Sequence, residues 1–294
     1  MDLIEGVKKA VIGAGSGYSE DRLTAYKKAL KVEENHGNEN AVWALEQMIS
    51  NFEVASLKEL PLCDDTGIPH VLIEVGKECE IPQNFFKDIH QGISQGLLNL
   101  PGRPMAVKGN DIERIEQKNG LYSEPDMMKP VSFLIEEKDD STYGKTVCKH
   151  DDRIKINILL EGGGPEIRAK TYRVFHKRSF EIVIGEAIDW LTESLSLLGC
   201  TPSIPAIGIG RTHFEANSLL IRALVHGNLN EQSEIENYVS SKLNQTNIGP
   251  LGLGGSTTVL GSFVNIGHQR ASGVRIVATR PACFVEPRVS SFEF

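Results

Sequence analysis

No apolar run in this sequence reaches the ~18 residues a membrane-spanning helix needs. A membrane-embedded chain is therefore not expected. Cysteine is scarce and badly arranged for the usual uses. There are five, Cys63, Cys79, Cys148, Cys200 and Cys283, an odd number, widely spread and with no C-x-x-C pair. Zinc ribbons and thioredoxin-like redox motifs lose their support, and a disulfide framework is not expected in a reducing compartment. Surplus positive charge is missing as well: 31 Lys and Arg face 39 Asp and Glu, a net charge of −8. Phosphate neutralisation needs a basic face, so nucleic acid is an unsuitable partner. The stretch from Met1 to Lys9 mixes both charge signs and has no apolar h-region, so a cytoplasmic location is expected. Internal repeats and low-complexity linkers are absent too. What remains is an ordinary globular mix, 40% hydrophobic and 24% charged. At 294 residues the chain is long enough for about two domains or one large one.

The order of patterns predicts an α+β fold. Residues 1–60 read as helical, with Ser19-Glu20-Asp21 as a cap before Leu23, Tyr26, Leu30 and Val32, and a second helix through Ala41 to Asn51. Val71 to Val75 reads as a strand, and Pro82 to Leu100 as a helix carrying Phe85, Phe86, Ile89, Ile93 and Leu97. Met105 to Lys129 is expected to be a long surface loop. Strands are expected at Val131–Ile135 and Ile154–Leu160, joined by a hairpin connection over Glu136 to His150. The strongest helix is Phe180 to Leu198, whose Ile184, Ile188, Leu191, Leu195 and Leu198 make one apolar stripe. A buried strand at Ile204–Ile209, helices at Glu215–Val225 and Glu231–Leu243, and a β-rich tail over Ser256 to Val285 follow.

Two glycine-rich stretches invite nucleotide-binding readings. In Val11-Ile12-Gly13-Ala14-Gly15-Ser16-Gly17-Tyr18 the third fingerprint glycine is replaced by Tyr18 and no strand precedes it, so a helix-terminating loop is expected. The segment Gly249 to Thr258 lacks the lysine of a phosphate loop. Its glycines would let backbone N–H groups approach an anion, or serve only as tight turns before a strand. Cys63, Cys200 and Cys283 each stand beside turn-forming residues, where functional side chains concentrate. Cys79 and Cys148 have charged neighbours and read as incidental surface residues.

Four of these features together carry a resemblance: Pro61-Leu62-Cys63-Asp64-Asp65-Thr66-Gly67, Ile207-Gly208-Ile209-Gly210, Gly252 to Thr258, and Cys283 with Arg288. The chain resembles the catalytic α part of class I fumarases and L-tartrate dehydratases, the iron–sulfur hydro-lyases, along most of its length. The resemblance implies one hydro-lyase domain over residues 1–294, with any two lobes flanking a cluster cleft, and a [4Fe–4S] cluster on Cys63, Cys200 and Cys283. Three thiolates leave one iron open as a Lewis acid. The implied reaction adds or removes water on a small di- or hydroxycarboxylate of the fumarate/malate or tartrate type. Asp65 and Arg103 take the catalytic positions, Asp65 orienting substrate or water or taking part in proton transfer. Asp64, Gly254, Gly255 and Arg288 would line the substrate pocket. Read without the resemblance, Asp65 is an Asx-turn cap before a strand and Arg103 a surface arginine.

Single-chain members carry a further β region, so this length implies a separate β-type subunit and a homo- or hetero-oligomer. The departures lie at the substrate positions. Asp64 stands where the family usually has Gln, Lys118 to Pro125 replaces a polar stretch of the family, Leu160 to Ile167 loses a lysine and an asparagine while keeping its glycines and Glu166, and Arg211 replaces a glycine. These changes keep open a second reading, a divergent member that binds, senses or assists assembly without hydratase activity.

Overall fold

The computed structural model describes residues 2–65, 67–100, 102–103, 105–137 and 152–294. Its helices are α1 (Leu3–Ser16), α2 (Glu20–His36), α3 (Glu39–Lys58), α4 (Phe85–Asn99), α5 (Asp111–Glu116), α6 (Gly163–Glu166), α7 (Phe180–Leu198), α8 (His213–His226) and α9 (Glu234–Asn244). The strands are β1 (Ile68–Val75), β2 (Phe133–Glu137), β3 (Ile154–Glu161), β4 (Lys170–Phe175), β5 (Ala206–Gly210), β6 (Phe263–Ile266), β7 (Val274–Arg280) and β8 (Arg288–Glu293). The fold is α+β, as the sequence pattern predicts. No helix among the described residues is long and apolar enough to cross a membrane.

The chain forms two compact units. Among the described residues, the first gathers those within 2–17, 52–163 and 288–294; the second gathers 18–51 and 164–287. The first unit is built on a four-stranded sheet of order β2-β1-β3-β8, with β1 and β2 parallel and the other pairs antiparallel. One face is covered by α1 and α4: Val7, Val11, Ile89, Ile93 and Leu97 pack on Ile73, Ile156 and Ile158, all at most 2% exposed. Two expectations are corrected here. The predicted hairpin would pair β2 with β3, yet β1 lies between them, because a parallel β1–β2 pair occupies that edge. The connecting residues 138–151, Cys148 among them, lie outside the described residues. Second, Gly13 and Gly15 lie inside α1 rather than in a terminating loop, and only Gly17 ends the helix. The expected loop at 105–129 holds a short helix, α5, started by an Asn110–Glu113 capping box, and a single 3-10 turn over Pro125–Met127.

The second unit is built on a sheet of order β4-β7-β5-β6, antiparallel except for β5 with β6. The stripe of α7 packs on one face. Ile184, Leu191 and Leu195 are fully buried against Ile207 and Val277, each contributing about 1.5–3 kcal/mol by leaving water. Helix α8 lies against the other side of β5, and closely. A Cβ on Gly208 would sit 2.0 Å from the Ala216 carbonyl oxygen, so no side chain fits there. The alternation of Ile207-Gly208-Ile209-Gly210 is thereby explained: isoleucines face α7 and glycines admit α8.

The register of this sheet fixes what lies at each end. Ala206 pairs with Arg280, so Cys200, before β5, and Cys283, after β7, belong to one end. Gly210 pairs with Ile276 and Phe175 with Val274 at the other.

Candidate functional site

In the second unit, Cys200 follows α7 directly, at the turn where Gly199 takes a left-handed conformation (φ 71°) and ends the helix. Cys283 sits in the turn after β7. The two loops are joined by a hydrogen bond from the Phe284 N–H to the Cys200 carbonyl, 2.8 Å. The Cys283 turn is fixed by a buried carboxylate. Glu286, 1% exposed, accepts the Cys283 N–H at 3.3 Å and the Arg280 guanidinium at 3.0 Å. Arg280 also meets Glu166 at 3.1 Å. From the side of α2, Tyr18, Arg22 and Tyr26 all donate to the Phe284 carbonyl, and Arg22 donates to that of Pro287. Burial raises the Tyr26 hydroxyl well above its ordinary value, so it remains a neutral donor.

The glycine segment adjoins the same cysteine. Thr201 gives its hydroxyl to the Gly249 carbonyl, receives the Gly252 N–H at 3.2 Å and accepts the Leu251 N–H on its carbonyl at 2.9 Å. Gly254 and Gly255 both have positive φ, 83° and 132°. Glu33, fully buried at the end of α2, accepts the Ser256 N–H at 3.2 Å. Burial alone would raise its carboxyl, but hydrogen bonds from Thr257, Asn38 and the backbone N–H groups of Ser256 and Thr257 outweigh it, and Glu33 is held below the ordinary carboxylate value. The structure thus joins the Cys200 and Cys283 loops and ties the start of the glycine segment to Thr201, while Gly255 lies against Glu33.

In the first unit, Cys63, Asp64 and Asp65 lie in the turn between α3 and β1, tied to α1 by the Leu62 N–H to the Gly15 carbonyl, 2.9 Å. Asp65 is an Asx turn here. Its carboxylate accepts the Gly67 N–H at 3.1 Å on one oxygen and the Gly163 N–H at 3.0 Å on the other. The backbone of Asp65 bridges that of Arg103. Arg103 is exposed and lies 3.4 Å from the Asp64 carboxylate. Arg288, expected to line a pocket, is 1% exposed, and its guanidinium turns to the carbonyls of Leu160 (3.2 Å) and Asp65 (2.6 Å). A Cβ on Gly67 (φ 85°) would stand 2.3 Å from that guanidinium, so glycine is required beside it. Arg211 is paired with Glu215 at 2.7 Å, at the sheet end opposite Cys283.

The donor set suits an iron–sulfur cluster in its chemistry: Cys63, Cys200 and Cys283 are all thiols outside any disulfide. Burial pushes the Cys63 thiol up, against the pull of the Asp65 N–H and Arg288. The protein packed around Cys200 does the same, opposed by Arg168. For Cys63 and Cys200 burial thus favours the thiol, while Arg288 and Arg168 favour the thiolates that a metal would draw out. Among the described residues, no three His, Cys, Asp or Glu side chains converge as a site for a single metal ion. Sequence reasoning missed Arg22, Tyr26, Glu33 and Glu286. The only available signal was Glu286, three residues from Cys283 in an otherwise apolar turn.

Comparison with known proteins gives a consistent result. The model of the family described as fumarate hydratase (Fumerase) matches residues 4–292. A putative L(+)-tartrate dehydratase subunit alpha of Methanocaldococcus jannaschii is 28% identical over 257 residues, 84% of this chain and 82% of the relative. A putative fumarate hydratase class I of Geobacillus stearothermophilus is 25% identical over 91% of this chain but only 50% of its own length. The L(+)-tartrate dehydratase subunit alpha of Escherichia coli strain K12 is 22% identical over 82% of this chain and 75% of its own.

Proposed function

The chain belongs to the fumarate hydratase (Fumerase) family, and on that premise we propose that it is the α-type component of a hydro-lyase. It adds or removes water on a short di- or hydroxycarboxylate of the fumarate/malate or tartrate type. Two relatives bear the name subunit alpha, and the Geobacillus relative is about twice as long as the segment it shares. The subunit naming supports a separate β-type partner that completes the site.

The observation that carries the reading is the joining of the Cys200 and Cys283 loops beside the glycine segment, with Glu286 and the α2 side chains holding the second cysteine. Cys63, Cys200 and Cys283 would hold the cluster. When bound, a [4Fe–4S] cluster on three thiolates supplies an open iron with Lewis-acid character.

The remaining roles belong to this chain's own groups. Arg103 offers an exposed guanidinium, whose fork matches a carboxylate. Gly254 and Gly255 leave the backbone open to an anion. Asp65, with both oxygens engaged by N–H groups, is a positioning residue for the Cys63 turn. Arg288 has the same part, bracing that turn from below through the Asp65 carbonyl.

The test is anaerobic reconstitution with iron and sulfide, followed by iron counting and absorbance in the thiolate-to-iron charge-transfer region. About four irons per chain are expected, lost in each of Cys63→Ser, Cys200→Ser and Cys283→Ser but kept in Cys79→Ser. Full iron in Cys200→Ser would sink the ligand assignment. A second reading, a member without hydratase activity, is favoured by one contact: the Asp64 carboxylate beside the arginine meant for substrate. A cluster-loaded chain that stays inactive on fumarate and L-tartrate with its β partner would select it.

A further inference from the structure

The second unit contains a cavity of about 410 Å³ that the proposed reaction does not use. Its floor is apolar: Phe180, Val183 and Ile184 from the first turns of α7, with Ile209 of β5 and Ile266 of β6. It lies at the Gly210 end of the sheet, since Ile209 pairs with Ile266 and with Val277. Cys200 and Cys283 belong to the other end. Helix α7 gives the same answer: the cavity is at its N-terminus, Cys200 is past its C-terminus, and 19 residues span about 28 Å. A small dicarboxylate is polar throughout and has nothing to bury on this floor.

The rim is cationic, and among the described residues no acid lines the cavity. Arg178 is exposed, and among the described residues its guanidinium meets no hydrogen-bond or ion-pair partner. It is set on the rim by an unusual turn, in which Lys177 and Arg178 both take left-handed conformations (φ 46° and 60°). Such conformations are uncommon for residues with side chains and persist only where the surroundings enforce them. Here His176 enforces them. Its Nδ1 accepts the Arg178 N–H at 2.9 Å and its Nε2 donates to the Ser272 carbonyl at 2.8 Å. Both ring nitrogens are committed, which makes His176 a brace rather than an anion donor. Arg275 directs Nη1 to the Val274 carbonyl at 3.0 Å, with the carbonyls of Arg270 and Ser272 at 3.4 Å. Its Nε and Nη2 make no such bond among the described residues. The nearby acid, Glu181, accepts the Ser179 hydroxyl at 2.6 Å and is not part of the lining.

An apolar floor of ligand size with guanidinium donors at its mouth selects a particular chemistry. We propose that this cavity binds an amphipathic monocarboxylate, its alkyl or aryl body on the α7–β5–β6 floor and its carboxylate on Arg178 and Arg275. The site goes beyond the hydro-lyase reading and needs no metal, so the two stand or fall separately.

Titration calorimetry of the full chain with octanoate, and with octanamide as the uncharged control, tests it. Saturable octanoate binding is expected, equal in iron-loaded and iron-free chain. Octanamide should bind at least about ten-fold more weakly, and Arg178→Ala, an exposed change that leaves the core alone, should cost octanoate about ten-fold. Ile266→Trp should fill the cavity and remove binding. The proposal is overturned by no saturable binding, by equal affinity for octanamide, or by octanoate binding that Arg178→Ala leaves unchanged. It is equally overturned if the chain self-associates through this face, shown by a dimer that Arg178→Glu dissociates and octanoate does not.

Discussion

Arg103 meets Asp64 twice: its backbone N–H donates to the Asp64 carbonyl at 2.8 Å, and its guanidinium stands 3.4 Å from the Asp64 carboxylate. Both side chains are more than half exposed, and such pairs are worth roughly 0–1 kcal/mol. The acid therefore competes with an incoming carboxylate without excluding it. In the complex with a β partner, Asp64→Gln should lower KM for L-tartrate or fumarate by up to about five-fold, the equivalent of that energy. Arg103→Ala should raise KM by about ten-fold or more, as loss of a bidentate carboxylate contact does. An unchanged KM in Asp64→Gln would show that the aspartate does not compete.

Glu286 holds the Cys283 turn and the Arg280 guanidinium from a buried position. Removing one member of a buried pair strands the other charge, at a cost of about 3–5 kcal/mol. Glu166 still touches Arg280 but is itself half exposed. Urea unfolding of Glu286→Ala should show a loss in that range, and Glu286→Gln a smaller one. Equal stability of Glu286→Ala and the parent chain would remove the anchor from the account of the cysteine turn.

The lowered carboxyl of Glu33 makes a pH prediction with a definite sign. Its folded value lies below its unfolded value, so its contribution is fully present above the unfolded value and is lost as pH falls through the folded one. Stability measured from neutral pH into the acid range should therefore fall less steeply in Glu33→Gln than in the parent chain. Identical slopes would mean that the Ser256 contact does not favour the ionised form.

Gly208→Ala places a methyl group on backbone atoms of α8, 2.0 Å from the Ala216 oxygen and 2.6 Å from the Leu220 nitrogen. The helix must move, and overpacking of this kind costs about 1–3 kcal/mol or more. A urea midpoint within error of the parent would contradict the close approach. Gly164, where an added Cβ would meet nothing within 4 Å, is the matched control and should tolerate alanine.

The long helices are legible in the sequence because their stripes are long: α7 needs a full apolar face, and its burial follows the 3.6-residue period. Strands β4 and β8 are not legible, because Lys170–Phe175 leaves Tyr172 and Phe175 exposed at an edge and Arg288–Glu293 is mostly polar, so neither alternates cleanly. Strand order is not a local property either, which is why sequence proximity pairs β2 with the wrong neighbour. The cysteine positions can be picked out from turn residues and family likeness. Their supports cannot, since Tyr26 and Phe284 are 258 residues apart and only the fold makes them neighbours.

The first unit takes its last strand from residues that follow the whole of the second unit in the chain. During synthesis β3 consequently waits, with one edge unpaired, until Arg288 to Glu293 leave the ribosome. The Cys63 turn waits with it, because Arg288 is its brace. The Cys63 turn thus depends on a residue 223 positions further along the chain, and it gains its final form only when β8 has paired with β3. An exposed strand edge in that interval invites pairing with another chain, so Val289→Pro, which weakens the pairing of β8 with β3, should raise aggregation of newly made protein.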